Sequence, residues 1–382
     1  MIGFLILVFT LYAILIIALS YGFNKVDEYK LNDDLETNSF SVIIPFRNEA
    51  KNLPNLLSSI SKINYPNNLV EFILVDDDST DNSVDVINTF CQVKRSRNLK
   101  PLDCARRDIF KIIKNNRTSN SPKKDAITTA ILQAKHNWIV TTDADCILPK
   151  NWLNTLDNFI EENNPKIVVA PVNYNVKNNF LEQFQLLDFL SMQGTTVGGF
   201  GINFPFLCNG ANLAYKKDEF LKLDGFNGNN LIASGDDIFL FEKFLNDDKK
   251  GVQYLKSTEA IVTTFPVKSW TDLLNQRTRW AAKSSHFNSL SVKLIGLLVL
   301  LTNFLVLYYL WFGSFKVFFI PFILKMIIDL CLFLPTIKFF KIKNNFFKWY
   351  ILASLLYPFF SILVILKSIF FKYNWKGRNF KK

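Results

Sequence analysis

Histidine and cysteine, the side chains that most often build zinc sites and disulfide frameworks, are scarce in this sequence. Its 382 residues include two His and five Cys. No two cysteines form a Cys-x-x-Cys pair or stand at another metal-binding spacing. A His-rich zinc site is therefore excluded, and the cysteines fit a reducing compartment without a disulfide framework. With so little histidine, we expect any general base in this protein to be a carboxylate.

Negative charge is also in deficit, because 44 Lys and Arg stand against 33 Asp and Glu, which gives a net charge of +11. This excess suggests contact with phosphates or with anionic lipid. Segment 94–124 is a basic insertion, with eleven Lys or Arg against two Asp. It lacks the interleaved aromatic residues of a single-strand nucleic-acid platform. We therefore expect no nucleic-acid partner, and we expect this segment to face anionic lipid or a phosphorylated substrate.

Apolar residues gather at the two ends of the chain. Residues 2–23 carry no charge and are long enough to cross a hydrocarbon core of roughly 30 Å. A signal peptide is the alternative, but no basic residue precedes the run, so we favour a retained anchor. Lys25 and Lys30 follow the run and indicate that the middle of the chain is cytoplasmic, although Asp27 and Glu28 weaken that signal.

The C-terminal region predicts three further membrane spans, near 293–313, 316–337 and 347–370. Lys325 and Asp329 lie four residues apart within the second of these spans, so a helix places them on one face. We interpret them as a structural ion pair rather than as catalytic groups.

The charges outside these spans give conflicting orientations. A basic linker looks cytoplasmic, and it contains Lys338, Lys341, Lys343 and Lys348. Three spans after a cytoplasmic domain put the C-terminus outside. The C-terminal tail is also basic, however, with Lys372, Lys376, Arg378, Lys381 and Lys382. An interfacial or re-entrant segment is an alternative that the sequence leaves open.

Between the two ends, stretches typical of strands alternate with stretches typical of helices. The predicted strands are 40–45, 70–75 and 138–142, and the predicted helices are 49–61, 79–90 and 125–134. This alternation predicts an α/β fold with a doubly wound, largely parallel sheet. In such sheets ligands bind beyond the carboxyl ends of the strands. The polar clusters of this chain follow those ends.

Two of these clusters come directly after the first and second predicted strands, at 45–49 and 76–81. Helix N-capping is an alternative for Ser79 and Asp81, because such side chains satisfy free backbone N–H groups. Capping explains the adjacent Asp76 and Asp77 poorly. Carboxylates at a strand end can accept hydrogen bonds from a uracil N–H or a ribose hydroxyl, so this pair is a candidate nucleotide site.

A third cluster contains Asp143 and Asp145, directly after the Trp-Ile-Val strand. Residues two apart on an extended chain point to the same side, so both carboxylates can address one cation. Mg²⁺ is usually held by one or two carboxylates together with substrate phosphates. The pattern therefore predicts a divalent-cation site.

Two more clusters lie further along the chain. In the first, Gly235 precedes Asp236 and Asp237, and adjacent carboxylates can raise one another's pKa, which suits a proton acceptor. Helix capping is the alternative. The second, at 276–280, holds arginines that can bind phosphate and Trp280, whose flat face can stack on a sugar. For Arg277 an aromatic and basic belt at the membrane surface is an equal alternative.

Taken in order, these clusters resemble the family 2 glycosyltransferases with the GT-A fold, over about residues 38–285, and the flanking spans match the membrane-bound branch. The segments that carry the resemblance are 41–49, 75–81, 123–127, 143–145, 208–212, 224–226, 235–237 and 276–280. The sequence departs from the family pattern at Pro122, where a Gly usually precedes the lysine. It also has Asp236-Asp237 where the family often has a Glu-Asp pair.

The resemblance implies a role for each matching residue. Asp237, Asp236 and Arg279 are implied to be catalytic, with Asp237 as the base. The implied nucleotide-sugar site consists of Pro45, Asn48, Glu49, Asp76, Asp77, Lys123, Asp143 and Gln276. The acceptor side is assigned Asn209, Asn212 and Trp280. Asp143 and Asp145 are implied to hold a divalent cation, Mg²⁺ or Mn²⁺.

The implied function is inverting transfer of a sugar from a nucleotide-diphospho-sugar, expected to be UDP-linked, to a glycan or lipid-linked hydroxyl in cell-surface polysaccharide or glycolipid synthesis. The expected organisation is a transmembrane helix at 1–23, a GT-A domain at 38–285 and a transmembrane region at 293–371, in a prokaryotic cell membrane with membrane lipids as partners. A non-catalytic scaffold is the alternative, because a fold does not fix a function. The retained Asp143, Asp145, Asp237 and Arg279 argue against it.

Overall fold

The chain forms two compact units. The computed structural model describes residues 2–32, 37–96, 109–230, 232, 234–284, 289–313, 315–342, 346–371, 373–375 and 378–380. An α/β unit consists of Glu28–Asn175 and Cys208–Phe265. A helical unit consists of Met1–Asp27, Val176–Leu207 and Pro266–Lys382. The second unit therefore gathers the apolar ends of the sequence together with one segment from its middle.

The α/β unit is built on a seven-stranded sheet in the order β3-β2-β1-β4-β7-β5-β8. A two-stranded sheet, β6-β9, accompanies it. The strands are β1 (Phe40–Phe46), β2 (Val70–Asp76), β3 (Phe110–Lys114), β4 (Trp138–Thr141), β5 (Ile167–Val169), β6 (Val172–Tyr174), β7 (Leu213–Lys216), β8 (Val252–Tyr254) and β9 (Val262–Thr264). The β-branched and aromatic residues of β1 and β2 are buried, as expected for central strands of a covered sheet.

The strand directions confirm the predicted, largely parallel sheet. β3, β2, β1 and β4 run parallel to one another, whereas β7 runs antiparallel to both β4 and β5. The three predicted strands are present within one or two residues of their predicted ends. β3 was not predicted: it lies at one edge of the sheet, inside the basic segment that we interpreted as an insertion. Residues 97–108 of that segment lie outside the described residues.

Six helices of the α/β unit connect these strands: α2 (Leu53–Ile60), α3 (Ser83–Ser96), α4 (Pro122–Gln133), α5 (Trp152–Asn163), α7 (Lys217–Lys222) and α8 (Ile238–Asp247). The apolar spacing predicted for the first helix is correct, because Leu53, Leu56, Leu57 and Ile60 are all fully buried. The helices α2 and α3 begin four residues later than predicted. Residues 49–52 and 79–82, which were predicted to be helical, instead form the turns that carry two of the polar clusters.

The helical unit contains α1 (Ile2–Lys25), α6 (Phe180–Gly201), α9 (Trp270–Ser284), α10 (Leu290–Phe312), α11 (Phe315–Phe339) and α12 (Phe346–Phe370). The short strands β10 (Tyr373–Trp375) and β11 (Arg378–Phe380) pair after α12. Within the described residues, α1, α10, α11 and α12 are long and apolar enough to cross a membrane. These four helices lie where the sequence predicted spans. Several basic residues of the linker and tail that were used to predict orientation lie outside the described residues: Lys343, Lys372, Lys376, Lys381 and Lys382.

Charged pairs are buried inside the helical unit. The Lys325 ammonium contacts the Asp329 carboxylate at 2.5 Å, and the hydroxyl of Tyr12, on α1, donates to the same carboxylate at 2.6 Å. The predicted ion pair between Lys325 and Asp329 is therefore present. Its carboxylate also anchors the first helix of the chain, which fits the structural interpretation of this pair.

Candidate active site

The polar clusters of the α/β unit meet at one edge of the sheet. Asp76 ends β2 and pairs with Phe46 at the end of β1, and Thr141 ends β4 beside Ile43. β7 begins at Leu213 opposite Thr141, so the segment 208–212 leads into the same edge. The carboxyl ends of β1, β2 and β4 and the amino end of β7 thus lie together. This is the edge at which doubly wound sheets bind ligands.

The turn after β1 is fixed to the turn after β2. Asn48 has a left-handed backbone with φ +54°, and its side-chain oxygen accepts a hydrogen bond from the Thr80 backbone N–H at 2.8 Å. Its own backbone N–H donates to the Ser79 hydroxyl at 3.1 Å. The Arg47 guanidinium donates to the carbonyls of Asp77 and Asp78. Asn48 therefore shapes the loop, while Pro45 lies inside β1 opposite Val75.

Glu49 and Asp81 complete this pair of turns. The Glu49 backbone N–H donates to the Ser83 hydroxyl at 2.8 Å, and its carboxylate accepts from Asn52 at 2.6 Å. Asp81 accepts from the backbone N–H groups of Ala50 and Ser83. Burial acts to raise the pKa of Asp81, but these hydrogen bonds and the one from the Ser83 hydroxyl hold it below its ordinary value. The capping alternative thus agrees with the position of Asp81 at the start of α3.

Asp76 and Asp77 differ in their surroundings. Asp76 is partly exposed and accepts the Ser79 backbone N–H at 2.9 Å. The Asp77 side chain is 9% exposed, accepts from the Asn115 amide at 2.8 Å and pairs with the Arg117 guanidinium at 3.4 Å. Asn115 and Arg117 follow β3, the strand that the sequence did not reveal. Their only signal in the sequence was the basic character of segment 94–124.

The start of α4 joins the nucleotide side of the edge to the cation side. The Asn115 amide also donates to the Pro122 carbonyl at 3.0 Å. In the next residue, the Lys123 ammonium contacts Asp143 Oδ1 at 2.7 Å and Asp236 Oδ2 at 3.0 Å. Burial acts to lower the pKa of Lys123, but the carboxylates of Asp143 and Asp236 outweigh it, so that pKa lies above its ordinary value. Lys123 thus brings two separate acidic motifs to one place.

Asp236 and Asp237 make different contacts, although they are neighbours. Gly235 has φ +86°, a conformation that glycine adopts without strain, and it turns the chain into α8. Asp237 stands at the N-cap of α8, where it accepts the Ile238 N–H at 2.8 Å, and it also accepts the Gly210 N–H at 3.3 Å. The capping alternative therefore describes part of what Asp237 does. Its carboxylate is held in one orientation by two backbone donors.

Gly210 lies so close to the two aspartates that a side chain at this position would crowd them. A Cβ atom at this position would lie 3.1 Å from the Asp237 Cβ and 3.2 Å from Asp236 Oδ2. The Gly210 carbonyl accepts from the Thr141 hydroxyl at 3.0 Å, next to the Asp143 motif. The segment 208–212, the end of β4 and the turn before α8 are therefore held together at Gly210. In the sequence, Gly210 stood out only as a member of the segment 208–212, with no role indicated.

The two asparagines predicted to bind the acceptor occupy different environments. Asn209 is partly exposed, and its side chain accepts the Ala211 N–H at 3.0 Å. Asn212 is 1% exposed; its amide donates to the Pro171 and Ala260 carbonyls, and its oxygen accepts from the Trp152 indole at 2.9 Å. The contacts of Asn212 are those of a support inside the fold. The structure thus offers no exposed atom of Asn212 for an acceptor to contact.

Lys124 is a buried cation that sequence analysis missed, since the motif match drew attention to Lys123 alone. Its ammonium donates to the carbonyls of Asn229 at 2.6 Å and Ile232 at 3.0 Å, and it lies over the Phe239 ring. It anchors the loop that leads into the turn of Asp236 and Asp237. The sequence held no signal for this role, because the partner carbonyls lie more than 100 residues further along the chain.

The predicted Gln276, Arg279 and Trp280 lie on α9 in the helical unit. Arg277, between them, is buried and forms an ion pair with Asp188 of α6. It also donates to the Gln276 side chain and stacks over the Trp280 ring at 4.1 Å. These contacts match neither phosphate binding nor a belt at the membrane surface, because the Arg277 guanidinium faces a carboxylate inside the protein. Arg277 instead fixes the side chains of Gln276 and Trp280.

The acidic groups fit a divalent cation that is bound together with a phosphate-bearing substrate. Among the described residues, no group of three or more His, Cys, Asp or Glu side chains could hold a metal by itself. Asp143 and Asp145 are both partly exposed after β4. Mg²⁺ sites commonly use one or two carboxylates and take their other ligands from phosphates and water. The pair matches that kind of site.

Two family models match the chain over this region. The model described as glycosyl transferase family 2 matches residues 41–217. The model described as glycosyl transferase family group 2 matches residues 138–366, which is more than half of the chain. The chain belongs to glycosyltransferase family 2. The predicted GT-A fold flanked by apolar helices is likewise confirmed.

Relatives of known activity match only part of the chain. Poly(ribitol-phosphate) beta-N-acetylglucosaminyltransferase TarS of Staphylococcus aureus is 26% identical over 130 residues, which make up 34% of this chain and 20% of TarS. Glycosyltransferase GlyG of Streptococcus pneumoniae is 30% identical over 131 residues, 34% of this chain and 38% of GlyG. The chain thus spans well under half the length of these glycosyltransferases.

A solved structure resembles the chain over nearly its whole length. Mannosyltransferase PcManGT of Pyrobaculum calidifontis, in complex with GDP-Man and Mn²⁺, covers 95% of this chain and 99% of its own, with a TM-score of 0.56 and 16% identity. At this identity the likeness concerns the fold. It supports the GT-A fold for this chain.

Proposed function

We propose that this protein is a membrane-bound, inverting glycosyltransferase that moves a sugar from a nucleotide-diphospho-sugar to a glycan or lipid-linked hydroxyl. The observation that carries the proposal is the contact of Lys123 with both Asp143 and Asp236 at the carboxyl ends of the strands. It brings the predicted cation site and the predicted base site into one constellation. Family 2 membership supports glycosyl transfer as the reaction.

The nucleotide belongs at the ends of β1, β2 and β3. Asp76 is partly exposed there, and Asp77 holds Asn115 beside it. The buried side-chain oxygen of Asn115 accepts no hydrogen bond from the described residues. Buried acceptors are nearly always paired in native proteins, so a donor group of a bound nucleotide would complete this one. Pro45, Asn48 and Glu49 shape the adjoining loop.

The reaction needs one proton acceptor and one leaving group. The acceptor hydroxyl loses its proton to the Asp237 carboxylate while its oxygen bonds to the anomeric carbon of the sugar. The bond from that carbon to the diphosphate breaks, and the nucleoside diphosphate leaves with the bonding electron pair. Attack opposite the leaving group inverts the anomeric carbon. The hydrogen bonds from Gly210 and Ile238 orient the Asp237 carboxylate for this task.

The diphosphate requires positive charge as it leaves. Asp143 and Asp145 would hold a divalent cation, which supplies Lewis-acid stabilisation of the diphosphate oxygens when bound. We assign Lys123 to the same developing charge. The family resemblance assigns Arg279 a catalytic role and Gln276 to the donor. The GT-A structure that holds GDP-Man and Mn²⁺ supports divalent-cation use in this fold. It also makes GDP an alternative to the UDP expected from the sequence.

The acceptor side is assigned to Asn209 and Trp280, with Asn212 as a support within the fold. The activity of TarS on poly(ribitol-phosphate) supports a glycan or another phosphate-containing polymer as acceptor. The apolar helices α1, α10, α11 and α12 support a membrane location, and cell-surface polysaccharide or glycolipid synthesis fits that location. The catalytic unit would then face the cytoplasm of a prokaryotic cell, where nucleotide-sugars are made.

The test is a transfer screen on the purified full-length protein with UDP-linked and GDP-linked sugars, with Mg²⁺, Mn²⁺ or excess EDTA. We expect transfer only with a divalent cation, and we expect Asp143→Ala to abolish it while the protein stays folded. Asp85→Ala is the matched control, because Asp85 is exposed on α3 and belongs to none of the predicted motifs. Full activity in EDTA would remove the metal role, and no transfer with any donor would favour a non-catalytic scaffold.

A further inference from the structure

Lys123 occupies the position at which a cation bound to Asp143 would be expected. Its ammonium is 2.7 Å from Asp143 Oδ1 and 3.0 Å from Asp236 Oδ2, and its side chain is 18% exposed. The Asp143 side chain is 38% exposed, so solvent reaches it from the other side. A predicted metal ligand is therefore already neutralised by a cation of the protein itself.

The contacts of Lys123 differ from those of the adjacent lysine. The Lys124 ammonium is enclosed by two carbonyls and an aromatic ring, and the residue is 1% exposed. Such a lysine is a fixed part of the fold. Lys123 instead pairs with two carboxylates, one of them partly exposed, through a flexible four-carbon side chain. A second anion can therefore compete with Asp143 for its ammonium.

A divalent cation and the Lys123 ammonium cannot both make close contact with the same Asp143 oxygen. Metal–oxygen distances in Mg²⁺ sites are about 2.0–2.1 Å, and two positive charges a few ångströms apart repel strongly in a partly buried site. Metal binding to the donor-free protein must therefore move Lys123 away from Asp143 and leave it with Asp236 as its carboxylate partner. A diphosphate replaces the lost partner, because its oxygens accept from an ammonium as carboxylates do.

We propose that Lys123 is a resident counter-ion that holds Asp143 in the donor-free protein and releases it when the diphosphate of a donor arrives. The ammonium then moves from Asp143 to a phosphate oxygen, which opens Asp143 to a divalent cation. Metal and nucleotide consequently bind cooperatively, and metal alone binds weakly. This inference rests on the proposed function insofar as it takes the diphosphate to come from a nucleotide-sugar.

Mn²⁺ binding tests the proposal without an activity assay. Free Mn²⁺ is measured by electron paramagnetic resonance during titration of the full-length protein, first alone and then with saturating UDP or GDP. The variants are Lys123→Met, which removes the ammonium, and Lys123→Arg, which keeps a cation. Lys150→Met is the matched control, because Lys150 is exposed five residues after Asp145 and its removal changes the net charge equally.

For the wild type we expect weak Mn²⁺ binding that a nucleoside diphosphate strengthens by a factor of about 5–150, the usual range of coupling between two sites. For Lys123→Met we expect nucleotide-free Mn²⁺ affinity to rise by about the same factor and the coupling to fall toward one. Lys123→Arg and Lys150→Met should resemble the wild type. Lys123→Gln gives the same comparison if the Met variant melts at a lower temperature.

Three outcomes overturn the proposal. The first is that Lys123→Met binds Mn²⁺ without nucleotide no better than the wild type. The second is that Lys150→Met gains as much Mn²⁺ affinity as Lys123→Met, and the third is that the coupling survives in Lys123→Met. The nucleotide-free comparison decides the role of Lys123 even if the wild type binds neither UDP nor GDP. A wild type that binds neither nucleotide would instead count against the proposed function.

Discussion

Asp237 combines a structural contact with the proposed catalytic one. It caps α8 and accepts the Gly210 N–H, while its proposed task is to take a proton from the acceptor. Asp237→Asn separates the two, because Asn is as good an N-cap as Asp but lacks the proton acceptor. We expect turnover to fall by roughly 10²–10⁴-fold, the usual contribution of a general base. Titration with nucleoside diphosphate should show little change in donor affinity.

Asp236, next to Asp237, is the alternative base if this prediction fails. Asp236 is paired with Lys123, so at rest its charge is already balanced by a cation. Near-normal turnover in Asp237→Asn would remove Asp237 as the base and point to Asp236. Melting temperatures of both variants check that a lost cap is not mistaken for lost chemistry.

Asp76 and Asp77 allow a sharper separation of binding from stability. Asp77→Ala removes one of the two acceptors of the Asn115 amide and one of the two carboxylates that pair with Arg117. The loss of such a partner costs about 1–3 kcal/mol in the free energy of unfolding. Asp76→Ala removes a partly exposed carboxylate that accepts one turn N–H. We expect Asp77→Ala to lower the melting temperature clearly. We expect Asp76→Ala to weaken nucleoside-diphosphate binding first, with a smaller effect on melting.

The two measurements are made on both variants, so each variant controls the other. Equal losses of stability would show that Asp76 also supports the fold. Unchanged nucleotide binding in Asp76→Ala would remove it from the proposed donor site.

At the scale of elements, the sequence was most informative where a strand is central and its pattern is local. The apolar runs of β1, β2 and β4 predicted those strands and placed Asp76 and Asp143 at their ends. β3 was hidden, because Phe110–Lys114 is a short edge strand with a lysine on each side of its two isoleucines. The sequence also could not show that β7 runs antiparallel, since strand direction depends on pairing between distant segments.

The site showed the same division between local and long-range features. Motif spacing predicted which carboxylates matter, but not that Lys123 would pair with Asp143 and Asp236, which lie far apart in sequence. Arg277 was assigned to phosphate or to a membrane belt because its partner, Asp188, comes from another helix. Asn212 was assigned to the acceptor because a sequence motif carries no information about burial, whereas the structure buries this side chain.

The packing of α1 against α6 gives a prediction for elements. These helices cross at glycines: a Cβ on Gly198 would lie 2.3 Å from the Leu19 carbonyl oxygen, and one on Gly201 would lie 1.8 Å from that of Gly22. The obstructing atoms are backbone, so the helices themselves must move apart. This contact makes α1 a packed part of the helical unit, which supports a retained helix over a cleaved signal peptide.

Gly198→Ala should therefore destabilise the protein, by about 1–3 kcal/mol or more as in other overpacked sites. Alanine at an open helical position has the opposite effect, because Gly costs a helix roughly 0.8–1.0 kcal/mol relative to Ala. Gly296→Ala is the matched control, since a Cβ on Gly296 in α10 meets nothing within 4 Å. Thermal melts in detergent compare the two. Equal or higher melting temperature in Gly198→Ala would contradict the close crossing.

For the whole molecule, the first question is which side of the membrane holds the α/β unit. We propose the cytoplasm, from the free cysteines and from Lys25 and Lys30 after the first span. An Asp85→Cys variant places a reactive thiol on the exposed face of α3. We expect a membrane-impermeant maleimide to label it only after the cells are broken. The unmodified chain serves as the background control, and labelling on intact cells would place the unit outside.

The second question is where the C-terminus lies. If α10, α11 and α12 all cross, a cytoplasmic α/β unit puts the linker after α11 inside and the C-terminus outside. The three helices have 23, 25 and 25 residues, or roughly 35 Å each at 1.5 Å per residue, which is enough for every one to span. The inner linker then carries Lys338 and Lys341, as the positive-inside rule requires. The basic tail alone opposes this arrangement.

We expect helix length and apolarity to prevail over the charge of the tail. The test uses fusions to green fluorescent protein, which reports the cytoplasm, and to alkaline phosphatase, which reports the exterior. Fusions after Lys341 should fluoresce, whereas fusions after Lys382 should show phosphatase activity. Replacing Lys381 and Lys382 with Gln should leave both results unchanged. A fluorescent fusion after Lys382 would mean that α12 does not cross the membrane, because α12 is the only described helix of spanning length after Lys341.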